Sequence, residues 1–331
     1  MISLEDLNFV GSDLYRPECV LASKSGHLYT ADWRGGVGVT FPNGESHLLK
    51  HKTSVSWLKP NGIALMPNGD FLITHLGDDK GGVYRLDGKG FLTPFLEEIE
   101  KIPMPPTNYV CRDNLGRIWI TISTKQIPRH SAAKPNFGDG FIILMDDKGT
   151  RVVADDLGFA NECVLSPDGD WLYVNETFGR KLTRFRVKKN GNLEKAETVT
   201  EFGESEFPDG VIFDDEGYLW VTSIVSNRIY RVSTVGKKVL WLEDFDEIGA
   251  KELESKYQMG LLEGKDFTKL NPKKLKNISS MAFGGKDLKK VWLGCLQGSS
   301  LATFNLPVKG IKPIHWEVLP NWLANLKNLR V

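Results

Sequence analysis

Short apolar stretches alternate with polar turns along this chain, and one arrangement of them recurs five times. An apolar stretch is followed by a polar turn ending in glycine and then by a second apolar stretch, as in DGVIFDDEGYLWVTSI. The five turn glycines are Gly26, Gly69, Gly116, Gly169 and Gly217. Glycine tolerates the positive φ of hairpin turns, and Pro, Asn and Asp also favour turns. The pattern therefore predicts five β-hairpins.

Further strand-like stretches follow the hairpins. A third is visible in GGVYRL, GFIILM, KLTRFRV and NRIYRV, and a fourth in FLTPFLE, TRVVADDL, ETVTEF and KKVLWL. A sixth, looser unit, ISSMAFGGKDLKKVWLGC, continues with SLATFNL and with HWEVL at residues 315–319. Four short strands per unit, repeating about every 45 residues, are typical of a propeller, whereas a β-sandwich would not explain the repeat.

We therefore predict an all-β fold, a six-bladed β-propeller with four short antiparallel strands per blade. It should form a single domain over residues 1–331. Residues 4–15 precede the first blade, and we expect them to help close the ring together with residues 315–319.

Two connections are too long to be simple turns. Residues 124–140 interrupt blade three, and residues 244–277 precede blade six. The second contains apolar residues at roughly helical spacing, namely Ile248, Leu253, Tyr257 and Leu261. Long loops in compact domains are usually functional, so both insertions should rise over one end of the channel; the alternative is that they are tolerated surface insertions.

Composition and charge disfavour several classes of protein. Hydrophobic residues make up 41% of the chain, and its 42 Lys and Arg balance its 42 Asp and Glu. We expect no nucleic-acid partner, because no net positive charge would attract one. The N-terminus lacks a signal-peptide pattern and no apolar run reaches the roughly 18 residues of a membrane span, so we expect no membrane partner. The four cysteines form no CxxC pair, which disfavours a zinc cluster and fits a cytoplasmic location.

Polar residues recur at a fixed distance before the turn glycines. Eight residues before each glycine lies a side chain with a carboxylate or amide oxygen. These five ring residues are Glu18, Asn61, Asn108, Asn161 and Asp209, and Ser279 falls near the equivalent position of the sixth unit. In a propeller the first strands surround the central channel, so the ring residues should point to one axis from one end.

Four ring residues form a set of oxygen donors for a hard cation: Glu18, Asn108, Asn161 and Asp209. Ca²⁺ takes six to eight oxygens in loose geometry, and we expect it here, with Mg²⁺, Mn²⁺ or Zn²⁺ as alternatives. Two buried carboxylates would repel each other without a cation. The alternative reading is that these residues cap the channel strands and bind water, and Asn61 fits it better than the others.

Other side chains that follow second strands should reach the same end of the channel. His75 is a candidate base or substrate-binding residue, although a lone histidine is more often structural, and His130 in the blade-three insertion is a weaker candidate. Trp33 is a candidate substrate-binding residue, and Phe178 and Gln297 are candidate pocket walls. We find no GxSxG motif and no other convincing nucleophile.

Several motifs resemble the senescence marker protein/gluconolactonase family, which includes regucalcin and luciferin-regenerating enzyme. They are EFPDG followed by DDEGYLWVTSIVSNRIYRV, ANECVLSPDGDWLYVNET, and ISSMAFGGKDLKKVWLGC. The resemblance implies a six-bladed propeller with one divalent metal ion in the channel and activity mostly on lactones. It implies Glu18, Asn161 and Asp209 as metal ligands, and Asn108 as a residue that contacts substrate or completes the coordination. Sugar-lactone members often carry an arginine two residues before this Asn, where Pro106 stands here.

The leading hypothesis is a metal-dependent, gluconolactonase-like hydrolase of a small-molecule lactone or related ester. The metal would polarise the carbonyl, and Asp209 would act as a metal ligand and as general base or nucleophile. Two alternatives stay open: a non-catalytic propeller that binds metal or a partner, and a metal-free propeller similar to strictosidine synthase. The oligomeric state is not predicted.

Overall fold

The computed structural model describes residues 1–52 and 57–326. Six four-stranded antiparallel sheets form a ring, which confirms the predicted six-bladed β-propeller. The strands, in chain order, are β1 (Asn8–Val10), β2 (Val20–Ala22), β3 (Leu28–Asp32), β4 (Gly36–Thr40), β5 (Ser46–Lys50), β6 (Pro60–Leu65), β7 (Phe71–His75), β8 (Val83–Leu86), β9 (Leu92–Leu96), β10 (Glu98–Ile99), β11 (Ile102–Pro103), β12 (Thr107–Arg112), β13 (Ile118–Ile122), β14 (Gly140–Asp146), β15 (Gly149–Leu157), β16 (Ala160–Leu165), β17 (Trp171–Glu176), β18 (Lys181–Arg186), β19 (Glu197–Glu201), β20 (Pro208–Phe213), β21 (Leu219–Ser223), β22 (Arg228–Val232), β23 (Lys238–Glu243), β24 (Ile278–Gly284), β25 (Lys290–Cys295) and β26 (Leu301–Asn305).

Each of the first five blades is built from four strands that follow one another along the chain. These blades are β2–β5, β6–β9, β12–β15, β16–β19 and β20–β23, while β10 and β11 form a separate two-stranded hairpin. The turn glycines have the positive φ that the sequence pattern requires, as at Gly217, where φ is +82°. The predicted hairpins are therefore present in the predicted places.

The ring is closed by the N-terminal strand. In blade six, β1 pairs antiparallel with β26, with Asn8 opposite Thr303 and Val10 opposite Leu301. The prediction of a strand at residues 315–319 is wrong, because residues 314–317 form a turn. Its apolar residues are explained by burial rather than by strand pairing: Trp316 is only 6% exposed, and the His315 ring lies against the Ala22 carbonyl.

The first strand of blades two to six is irregular beside its ring position. The pairing with the second strand shifts register between the following residues: Pro60 and Ile63, Thr107 and Tyr109, Ala160 and Cys163, Pro208 and Val211, and Ile278 and Met281. Bulges re-aim a side chain and end regular pairing. The recurring irregularity thus explains how blades two to five each turn one polar residue towards the channel.

Two glycines let neighbouring first strands approach closely at this level. A Cβ atom added to Gly62 would lie 2.7 Å from the Tyr109 Cα, and one added to Gly210 would lie 2.3 Å from the Ser279 carbonyl oxygen. Real Cβ atoms do not make such short contacts, so glycine after Asn61 and Asp209 allows the blades to pack tightly around the ring residues.

The helices are few and lie mostly in the insertions. They are α1 (Glu247–Gln258) and α2 (Leu323–Leu326), with short 3₁₀ helices at Leu4–Asp6, Arg129–Ala132 and Gly264–Lys269. In the described part of the chain, none is long and apolar enough to cross a membrane. Helix α2 lies at the C-terminal end of the described part of the chain.

Helix α1 confirms the predicted helical spacing only in part. Leu253 and Tyr257 are buried, but Ile248 is 77% exposed and Leu261, beyond the helix end, is 63% exposed. The buried stripe instead begins at Ala250, and it packs against the aromatic residues that surround one end of the channel. The insertion thereby forms part of the wall of that end.

Candidate active site

A cavity of about 760 Å³ lies at the end of the channel that carries the ring residues. All five ring residues line it, together with residues from both long insertions. All five are almost fully buried, with exposed fractions of 1–4%. A second cavity of about 530 Å³ occupies the other end of the channel and contains Glu162.

Side chains after the second strands orient two of the ring amides. Asn161 donates its Nδ2 hydrogen to Thr177 Oγ1 over 3.0 Å, and Asn108 donates to Ser123 Oγ over 2.9 Å. Thr177 in turn donates to the carbonyl of Pro208, which fixes its position. With their nitrogen atoms engaged in this way, the amides can offer only their oxygen atoms as ligands; Asn161 Oδ1 has no partner in the described part of the chain, whereas Asn108 Oδ1 accepts a 3.4 Å hydrogen bond from Asn61 Nδ2.

Asn61 has a different role from the other ring residues. Its Nδ2 donates to Glu18 Oε1 over 3.0 Å and to the Asn108 carbonyl over 3.1 Å, while its Oδ1 accepts from Arg16 Nη1 over 2.9 Å. Its hydrogen-bonding groups are thus occupied by protein. This agrees with its exclusion from the predicted metal ligands.

The two ring carboxylates are in an environment that disfavours their ionised form. Burial raises the pKa of Glu18 to about 7, although Arg16 and the hydrogen bond from Asn61 oppose this rise. Burial, followed by repulsion from Glu18, raises the pKa of Asp209 well above its usual value. Two carboxylates with raised pKa values in one cavity favour binding of a cation between them.

The donor set fits a hard divalent cation. Within the described residues, Asn161 Oδ1 and Asp209 Oδ1 are buried without any hydrogen-bond partner, which is costly unless something else satisfies them. No group of three or more His, Cys, Asp or Glu side chains in that part of the chain is arranged to hold a metal. A cation here would therefore depend on amide oxygens and on water or substrate, as Ca²⁺ often does.

Two arginines that the sequence reasoning missed also line the cavity. Arg16 lies over the ring of Trp33, with its Cζ 4.3 Å from the ring centroid, and Arg129 lies over Phe159 at 4.8 Å. Each has a signal in the sequence: Arg16 stands two residues before Glu18, and Arg129 directly precedes the candidate residue His130. Neither signal shows from sequence that the two side chains meet in one cavity.

The structure places the remaining candidates as follows. Trp33, His130, Phe178 and Gln297 line the cavity. His75 does not: its Nδ1 accepts a hydrogen bond from the backbone N–H of Lys59, and burial lowers its pKa to about 4.

The sixth ring position is occupied by a buried serine outside the cavity lining. Ser279 Oγ donates to the Glu18 carbonyl oxygen over 2.7 Å. This contact joins blade six to blade one and holds the backbone of the first ring carboxylate in place.

One wall of the cavity is apolar. Phe159, Phe178, Ile224 and Leu262 line it and belong to the hydrophobic cluster that α1 completes. Tyr257 of α1 donates its hydroxyl hydrogen to the Phe178 carbonyl over 2.6 Å. The cavity therefore combines a polar floor, two arginine side chains and an apolar wall, which is typical of a site for a small molecule.

The chain belongs to the SMP-30/gluconolactonase/LRE-like family, whose sequence pattern matches residues 16–241. The match includes four of the blades completely and reaches into the fifth, so it contains all the ring residues.

Individual relatives are distant. A 6-deoxy-6-sulfogluconolactonase of Pseudomonas putida is 26% identical over 185 residues, which cover 53% of this chain and 57% of that protein. A gluconolactonase of Xanthomonas campestris superposes with a TM-score of 0.65 at 18% identity, covering 89% of this chain and 88% of the other. Regucalcin of Agrobacterium tumefaciens, a calcium-binding protein, superposes with a TM-score of 0.65 at 19% identity, covering 94% and 97%. At these identities the two structures show a shared fold.

Proposed function

We propose that this chain is a divalent-cation-dependent hydrolase that opens a lactone or a related ester in the 760 Å³ cavity. The observation that carries the proposal is the convergence of two buried carboxylates and two amide oxygens, with Asn161 Oδ1 and Asp209 Oδ1 unpartnered. The family supports a hydrolase of lactonase type, and a lactonase is among the relatives.

Each ring residue has a part in this proposal. Glu18, Asn108, Asn161 and Asp209 would hold the cation, and Ca²⁺ is the cation expected for an all-oxygen site. When bound, the cation would polarise the substrate carbonyl as a Lewis acid. Asn61 keeps Glu18 oriented through its 3.0 Å hydrogen bond.

Asp209 is the residue we assign to proton transfer. Its Oδ1 has no hydrogen-bond partner in the described part of the chain and can accept a hydrogen bond from an attacking water. A carboxylate in that position can take up the proton of the water as it attacks. The apolar wall would hold the body of the substrate and exclude bulk water from the polar floor.

The test is a hydrolysis screen on the cation-depleted and reloaded protein. We expect lactone hydrolysis, followed with a pH indicator, to require added Ca²⁺, Mn²⁺, Mg²⁺ or Zn²⁺. We expect Asp209→Asn to lower kcat/KM by about 10²–10⁴-fold, the range for loss of a general base. Glu162→Gln is the matched control, because Glu162 is similarly buried but lines the opposite cavity.

Two results would contradict the proposal. One is full activity after exhaustive chelation, which would remove the role of the cation. The other is an Asp209→Asn protein that hydrolyses as fast as Glu162→Gln, which would remove the role of Asp209. A folded protein that binds a cation but opens no lactone or ester would favour the non-catalytic alternative.

A further inference from the structure

Two guanidinium groups share the cavity with the two ring carboxylates. Arg16 comes from the segment before β2, and Arg129 from the 3₁₀ helix of the blade-three insertion, so different parts of the chain bring them together. Each is stacked on an aromatic ring, which restricts the plane of the guanidinium and leaves its N–H edge for hydrogen bonding.

Neither arginine forms an ion pair with a residue in the described part of the chain. Among the residues that the structure describes, no carboxylate oxygen lies within 4.0 Å of either guanidinium. The other two basic chains of the lining differ in this respect, since Lys59 pairs with Asp78 at 2.8 Å and Lys265 with Glu263 at 2.5 Å. Arg16 and Arg129 are thus the two basic side chains of the cavity lining that have no ion-pair partner among the described residues.

Most of their hydrogen-bond donors also lack an acceptor among the described residues. A guanidinium carries five N–H donors. Arg16 uses one Nη to donate to Asn61, and Arg129 donates from Nη2 to Ser123 Oγ over 3.0 Å. The Nε of Arg129 is buried with no partner in the described part of the chain. A buried donor of this kind calls for an acceptor from a ligand.

The two arginines repel each other electrostatically. Burial, and next the proximity of Arg16, lower the pKa of Arg129 to about 10, so Arg129 stays charged at neutral pH. Once a divalent cation engages Glu18 and Asp209, the nearest negative charges are neutralised, and the guanidiniums are left without counter-charge. An anion placed between them would relieve this repulsion.

We propose that Arg16 and Arg129 bind an anionic group of the substrate, so that the preferred substrate is a lactone or ester that also carries a carboxylate, sulfonate or phosphate. This inference rests on the proposed function for the lactone or ester part, but the anion site itself does not depend on turnover. Planar guanidinium edges recognise all three oxyanions by charge-assisted hydrogen bonds. Uncharged lactones of the same ring should be poor substrates.

Binding is tested first with stable probes. Sorbitol 6-phosphate and sorbitol differ in one phosphate, have no lactone, and are titrated calorimetrically into the Ca²⁺-loaded protein. We expect Arg129→Met to weaken sorbitol 6-phosphate by about 10–100-fold, as for the loss of a charged hydrogen bond. Lys134→Met is the matched control, because Lys134 lies over Phe137 in the same insertion but outside the cavity lining. Equal binding of the two probes, or equal effects of the two variants, would overturn the inference whether or not the protein is a hydrolase.

Turnover is tested with lactone pairs that share a ring and differ in one carboxylate, sulfonate or phosphate. We expect each charged lactone that the protein hydrolyses to have a higher kcat/KM than its uncharged counterpart. Arg129→Met should raise KM for the charged lactone alone, and Arg129→Lys should restore part of the preference for the charged lactone. The pair with the largest preference identifies the anion. If Arg129→Met lowers kcat equally for both members, the arginine stabilises the transition state instead, and the inference is wrong. If no lactone is opened, the proposed function fails, while the calorimetry still decides the anion site.

The second arginine is tested by Arg16→Lys rather than by removal. Arg16 has a φ of +52° and holds Asn61, so a truncation could disturb the ring residues. We expect Arg16→Lys to keep the fold and Ca²⁺ binding but to reduce the preference for the charged lactone. An unchanged preference would remove Arg16 from the anion site.

Discussion

Replacing Glu18 by Gln should have opposite effects on stability in the absence and in the presence of a divalent cation. Glu18 is 4% exposed and burial raises its pKa from 4.5 to about 7. The folded protein therefore binds more protons at this site than the unfolded chain between these two pH values. As a consequence, the ionised Glu18 lowers stability progressively as the pH rises from about 4.5 to 7, and the loss is complete above that.

The size of this loss of stability follows from the difference between the Glu18 pKa values of the unfolded and folded states. The free energy of unfolding is lowered by about 3 kcal/mol at pH 8 and by less than about 1 kcal/mol at pH 5. A neutral Gln keeps an oxygen that accepts the hydrogen bond from Asn61, so Glu18→Gln should stabilise the chelated protein by about these amounts. A cation at about 100 times its dissociation constant stabilises the wild type by about 2.7 kcal/mol, and the variant should lose most of this gain.

The assay is urea unfolding at pH 5 and pH 8, with a chelator or with millimolar Ca²⁺. Glu162→Gln is the control, because Glu162 is buried in the same channel, and burial together with Glu18 and Asp209 also raises its pKa. That variant should keep the Ca²⁺-dependent gain. A Glu18→Gln protein that is less stable than the wild type in chelator at pH 8, or that gains as much from Ca²⁺, would refute the reasoning.

Three further predictions concern the role of Asp209 in the reaction, the packing between blades at Gly210, and the buried His315. If Asp209 is a general base, a single turnover in H₂¹⁸O labels the product acid and leaves the enzyme unlabelled; a nucleophilic Asp209 whose acyl intermediate is opened by water at the Asp209 carbonyl gives unlabelled product and labelled enzyme. Gly210→Ala would place a Cβ 2.3 Å from the Ser279 carbonyl, so we expect a loss of about 1–3 kcal/mol in urea unfolding, against almost none for Gly264→Ala, whose surroundings are open. Burial lowers the pKa of His315 to about 4, so on acidification the unfolded chain binds a proton at this histidine before the folded protein does. The free energy of unfolding should therefore fall as the pH drops from about 6.5 to 4, and His315→Asn should remove up to about 3 kcal/mol of this fall. An unchanged pH profile of stability in the variant would contradict the prediction.

The agreement between sequence and structure is best where the signal is local. Each hairpin is encoded within about 16 residues by two apolar stretches and a glycine that takes positive φ, and local signals of this kind survive any change elsewhere in the chain. The position of the ring residues in blades two to five is equally local, because the bulge beside each of them lies in the same strand, as at Asp209 between Pro208 and Val211. The fold class and the set of candidate ligands could therefore be predicted without a structure.

The sequence by itself thus determined six blades, the position of the polar ring residues, and Glu18 and Asp209 as the two acids among them. Only the tertiary structure decided which strand closes the ring, because β1 and β26 are far apart in sequence and pair only once five blades have brought the chain round. It also decided that Arg16 and Arg129 share a cavity with those acids, while His75 stays outside it. Contacts of this kind depend on how separate segments are placed in space, and no spacing along the chain records that placement.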